Sequence, residues 1–151
     1  MEQETQHAVE SFRQLYAYVA RLQRVGATRT YRVTPLAAAM AAASTSNVLP
    51  VTFRRNGIVL GVIGSEAAGT DINYATTEAR IQVSGQEDLI LTDDSGGFCP
   101  FLMLFAQGYY PIFRRVYTGQ SWSVTYRNTA AAATVLPSLA FSVLEDPENT
   151  R

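Results

Sequence analysis

Between Thr28 and Leu144 the chain never runs far without a turn signal, and the runs between those signals alternate apolar with polar residues. That pattern limits the fold more than any other feature, because short alternating runs build antiparallel sheets and leave no room for the crossover helices of a parallel one. Thr28 to Thr34 opens the β region. Val48 to Arg55 is a strand with Pro50 at an edge or bulge, and Asn56-Gly57 predicts a type I′ hairpin leading into Ile58 to Ile63. Ala79 to Val83 and Leu89 to Leu91 flank a Ser84-Gly85 turn. Pro111 to Tyr117, Thr118-Gly119-Gln120 and Ser121 to Arg127 predict a second hairpin. In its last strand Trp122, Val124 and Tyr126 share one face. Leu139, Phe141 and Val143 do the same in a final strand. The alanine-rich Leu36 to Ala43 reads as irregular or strand, and Pro100 within the apolar Phe98 to Tyr110 stretch permits a short helical turn. No repeat of solenoid or propeller length is present. The expectation is a mainly β protein, an antiparallel β-sandwich.

Ahead of it lies a different pattern. Ala8, Phe12, Leu15, Val19 and Leu22 recur at helical spacing with polar residues between them. Tyr16 and Tyr18 widen the stripe, Thr5 is a candidate N-cap, and Gly26 stands where a C′ glycine belongs. This divides the chain into a helical arm over 1–27, a β domain over 28–145 and a polar tail over 146–151. Two heptads of helix are marginal alone in water. The arm therefore needs its own β domain, copies of itself or another protein to pack against, and Phe12, Leu15, Val19 and Leu22 are its contact stripe.

The chain has no lysine, one histidine (His7) and one cysteine (Cys99). Schiff-base chemistry, a phosphate-loop lysine and a Cys/His zinc site held by one chain are thereby excluded. Cys99 has no partner for an intrachain disulfide and reads as a buried, inert thiol. Asp93-Asp94 before Gly96-Gly97 lacks the alternating acids of a calcium loop. A glycosidase pair drawn from Glu87, Asp88, Asp93 and Asp94 is the kind of coincidence any β protein offers. The expectation is a non-enzyme with no catalytic, cofactor-binding or metal-binding residues and no cofactor. Tyr109, Tyr110, Trp122 and Tyr126 could form a sugar-stacking platform, although core packing is the commoner fate of strand aromatics.

Charged residues make up 17% of the chain, against an average near ~25%, and a subunit interface is the simplest cover for so neutral a surface. All the basic residues are arginines, a side chain suited to interfaces. Arg54, Arg55, Arg114 and Arg115, paired beside turns, are further interface candidates. With a net charge of −1 the chain is not expected to bind nucleic acid. It has no apolar run long enough to cross a membrane, and Met1 to His7 do not read as a secretory signal.

Four pieces, in order, carry a family resemblance. They are Phe53-Arg54-Arg55-Asn56-Gly57-Ile58-Val59, Ala79-Arg80-Ile81-Gln82-Val83-Ser84-Gly85-Gln86-Glu87-Asp88-Leu89, Phe101-Leu102-Met103-Leu104-Phe105, and Val116 through Asn128 with Gly119 three residues before Trp122. The stretch from Val51 to Leu144 resembles the small jelly-roll proteins that decorate or cement the capsids of tailed bacteriophages. The resemblance implies a jelly-roll-like sandwich forming a homotrimeric knob that binds the major capsid protein or another virion protein. It implies a structural protein of the capsid surface, held in the host cytoplasm during assembly. A tail, baseplate or fibre-associated structural protein and a carbohydrate-binding module are the alternatives. The arm lies outside the resembling region.

Overall fold

A computed structural model describes residues 2–34, 36, 38–66, 75–83, 87–89, 96–132 and 135–148. Two antiparallel sheets face each other behind an N-terminal helix. The elements in chain order are α1 (Glu2–Arg24), β1 (Thr28–Val33), β2 (Ser44–Thr45), β3 (Leu49–Thr52), β4 (Gly57–Glu66), β5 (Thr77–Val83), β6 (Glu87–Asp88), β7 (Cys99–Pro100), α2 (Phe101–Leu104), β8 (Tyr110–Val116), β9 (Ser121–Asn128) and β10 (Pro137–Glu145). The first sheet has four strands in the order β1-β10-β4-β8. The second runs β2-β9-β5-β6, with β3 also on β9 and β7 also on β5. The mainly β sandwich behind a helix is the fold class the alternation predicts.

Between the sheets lies one apolar core. Val51, Ala79, Ile81, Trp122, Val124 and Tyr126 come from the second sheet, and Val59, Val62, Val116, Leu139, Phe141 and Val143 from the first. Trp122 sits edge-on to both Phe53, with ring centroids 5.2 Å apart, and Phe141, at 6.1 Å. The short helix α2 follows Pro100 and turns Phe101 and Leu104 into this core. One polar group joins the layers. The Tyr126 hydroxyl on β9 accepts from the Leu139 amide (2.8 Å), donates to the Thr34 carbonyl (2.9 Å) and lies 2.6 Å from the Thr34 hydroxyl. Burial pushes its phenol far above the ordinary tyrosine range, against the opposing pull of the Thr34 and Leu139 hydrogen bonds.

Both predicted hairpins are instead crossings between sheets. β3 pairs with β9, while β4, beyond Asn56-Gly57, pairs with β10 and β8. Gly57 is not in the left-handed region that a type I′ turn demands. It is a close-approach residue, because a Cβ there would collide with the Leu144 carbonyl oxygen. Likewise β8 belongs to the first sheet and β9 to the second, so the 118–120 turn, with Gly119 at φ +82, carries the chain across the sandwich. The Asn56 side chain ties the two crossings together by accepting from the Thr118 amide at 2.8 Å. The remaining differences are smaller. α1 begins at Glu2, so Thr5 lies inside the helix rather than at its cap. Beyond β5, Glu87–Asp88 pairs with Val83 and Gln82 and the Leu89 amide donates to the Ile81 carbonyl, while the Ser84-Gly85 turn and residues 90–91 of the expected strand lie outside the described residues. Of the described residues in 36–43, only Met40 makes an isolated bridge, to Val135.

Candidate interaction surface

Side chains alternate along a strand, so each sheet has an outer row whose chemistry the core does not dictate. The first sheet's register breaks at Leu60, which β4 carries as an extra residue against β10, while β8 sets both Ile112 and Phe113 against it. Val59 and Val62 point into the core, while Ile58 and Leu60 both reach the outside and receive the arm. Tyr18 and Leu22 of α1 are buried on Ile58, with Leu15, Val19, Ala27, Leu60 and Leu144 around them. Arg115 of β8 lies over the Tyr18 ring, 3.9 Å from its centroid. Arg21 donates to Glu148 (2.9 Å) and stands 3.5 Å from Asp146. Burial, then the nearby Asp146 charge, push the Tyr18 phenol upward, while Arg115 and Arg21 oppose them. The arm therefore packs on its own domain through one face of its helix.

An adjoining face does not. Val9 is 46% exposed, Phe12 69% and Tyr16 71%. Phe12, Leu15, Tyr16 and Val19 line an open groove of about 360 Å³ whose far wall is Phe113 of β8. Phe113 is itself 52% exposed and holds a φ of +52, a conformation that is a genuine outlier for a bulky residue. Farther along the same outer face Tyr31 and Val33 of β1 are also exposed.

The predicted contact stripe is thus divided. Leu22 is buried on the protein's own domain, Leu15 and Val19 are half-buried at the groove's floor, and Phe12 stands in solvent. Among the arginines, Arg115 stacks on the arm, Arg114 is half-buried, and Arg54 and Arg55 have no ion pair among the described residues. No sequence signal singled out Phe113. It sits in an ordinary alternating run, and its left-handed backbone falls where β8 sets an extra residue against β4.

The chemistry-bearing candidates do not converge. Asp93 and Asp94 lie outside the described residues, as do the side chains of Glu87 and His7. Asp88 is held by Arg80 in a forked pair of 2.7 and 3.2 Å. Burial, then the charge of Glu78, push the Cys99 thiol upward and keep it protonated. Among the described residues no cluster of three or more His, Cys, Asp or Glu side chains could hold a metal ion. Trp122 is 2% exposed and Tyr126 fully buried, which corrects the sugar-platform reading: neither ring can meet a glycan. Tyr109 lies over Gly61, where a Cβ would collide with its ring. No described helix is long and apolar enough to cross a membrane. No family model matches the chain, and no curated protein matches it.

Proposed function

We propose that the chain is a non-enzymatic structural protein of a tailed-phage particle, a decoration or cement protein that binds the assembled head as an oligomer. The observation that carries this reading is the apolar face formed by the first sheet and its arm. The outer row of the second sheet is polar and ion-paired, whereas the first sheet and its arm leave Phe12, Tyr16, Phe113, Tyr31 and Val33 exposed. Exposed apolar patches of this kind mark contact sites on soluble domains. The β-sandwich fold and the ordered pieces that resemble capsid-decorating jelly rolls support the same reading. The low charge of the chain does so too. The threefold stoichiometry is what that resemblance implies, and repetition of a modest contact over a lattice would supply the avidity. Mass spectrometry of heads and tails separated from purified particles tests the proposal. Recovery with heads is expected, and recovery only with tails would overturn it in favour of a tail or baseplate component.

A further inference from the structure

We propose that the groove between α1 and β8 is a self-association site, filled by the same stretch of α1 from a second copy running antiparallel about a twofold axis near Phe12. The proposal deepens the assembly reading, and rests on it in treating this face as a contact. The arm has more apolar circumference than its domain covers. At about 100° per residue, Leu15, Tyr18, Val19 and Leu22 occupy an arc of about 100°, and Val9, Phe12 and Tyr16 an adjoining arc of about 60°. The first set is packed on β4 and β10. The second faces solvent.

The exposed area is the right size for a second copy. A fully buried aromatic side chain covers ~150–250 Å², so rings left 69%, 71% and 52% exposed at Phe12, Tyr16 and Phe113 offer about 300–500 Å². A standard interface takes ~800 Å² from each partner, of which roughly 60% is apolar. Three rings and Val9, inside a polar rim, fill that requirement.

Charge chooses the occupant and its direction. Glu2, Glu4 and Glu10 all precede Phe12 in the helix, and Arg13, Arg21 and Arg24 all follow it. Arg21 is taken by Asp146 and Glu148, but the three glutamates, Arg13 and Arg24 have no ion pair among the described residues. Antiparallel pairing centred on Phe12 sets the acidic half of each arm beside the basic half of the other and opposes the two helix dipoles. Parallel pairing would set like charges together. A twofold contact made by the arm leaves the rest of the domain for threefold contacts, so arms would tie one trimer to the next.

Sedimentation equilibrium of the full chain across the micromolar range tests this. Expected is concentration-dependent association in twofold increments, weakened at least about tenfold by Phe12→Ala, as for a central interface aromatic. Glu10→Arg and Arg13→Glu should each weaken it, and the double swap Glu10→Arg/Arg13→Glu should restore it. These positions are exposed, and an unchanged circular dichroism spectrum verifies the fold of each variant. A chain that stays monomeric overturns the proposal. So does association indifferent to Phe12→Ala, or single charge variants that associate as tightly as wild type. Co-sedimentation of the same preparations with purified heads separates the two readings. A monomer that binds heads leaves the cement assignment standing without the twofold contact, and an associating chain that ignores heads does the reverse.

Discussion

On the outside of the six-stranded sheet stand Thr52, Ser121, Ser123, Thr125, Glu78, Arg80, Gln82, Asp88 and Arg127, by the register of β3, β5, β6 and β9. On the outside of the four-stranded sheet stand Tyr31, Val33, Ile58, Leu60, Ile63, Phe113 and Leu144, together with Arg29, Arg115 and Ser142. The first row closes on itself: Arg80 forks onto Asp88, and Arg127 onto Glu78 at 3.0 and 3.2 Å, while the Arg127 guanidinium also lies over Phe98. The second row is closed only at one end, where α1 lies on Ile58 and Leu144. Both rows alternate with the same core, so the core cannot have set the difference. A strand's outward positions are the part of a sandwich most open to shaping by what the protein touches.

The largest test of that contrast removes the arm. Leu22→Ala takes a fully buried leucine from the centre of the arm's contact and should cost about 2–5 kcal/mol of docking free energy. Hydrogen exchange reads it as lost protection across α1 with the sandwich strands still protected. Loss of protection throughout would mean that arm and sandwich unfold as one unit and that the four-stranded face is not separately covered. Next comes the tie between the layers. Tyr126→Phe leaves the Leu139 amide and the Thr34 groups without their buried partner, which should cost about 1–3 kcal/mol in denaturant titration. It has a pH signature. The folded phenol is pushed up by burial, so as pH rises past the ordinary tyrosine value of about 10 the unfolded chain ionises first. Stability is fully present below that value and declines above it, and Tyr126→Phe should flatten the decline. The smallest effect belongs to the polar face. A double-mutant cycle on Glu78 and Arg127 should give a coupling of no more than about 1 kcal/mol, falling with salt, because the arginine side chain is 32% exposed. A coupling several times larger would mean that this face too carries a structural role.

The buried rows were legible before any coordinates. Trp122, Val124 and Tyr126, and likewise Leu139, Phe141 and Val143, point inward as their period of two requires. Strand partnership was not. A turn signal says that the chain reverses, but Asn56-Gly57 and Thr118-Gly119-Gln120 do not say which sheet it rejoins, and at both places it joins the opposite one. The arm was legible as an apolar stripe at helical spacing. Its division into a docked face and a bare face was not, because that depends on strand pairing, which brings Ile58, Leu60 and Leu144 together at the surface. Phe113 was hidden for the same reason. Its exposure belongs to the register between β4 and β8, and no property of the residues beside it in sequence announces that register.

Cys99 carries a practical consequence. It is the chain's one sulfhydryl, 5% exposed on β7 at the edge of the core. A maleimide or iodoacetamide reagent reaches it when β7 or the core beneath it opens. The pace of its alkylation is therefore a stopwatch for breathing of the sandwich, present in the unaltered molecule and needing no engineered label.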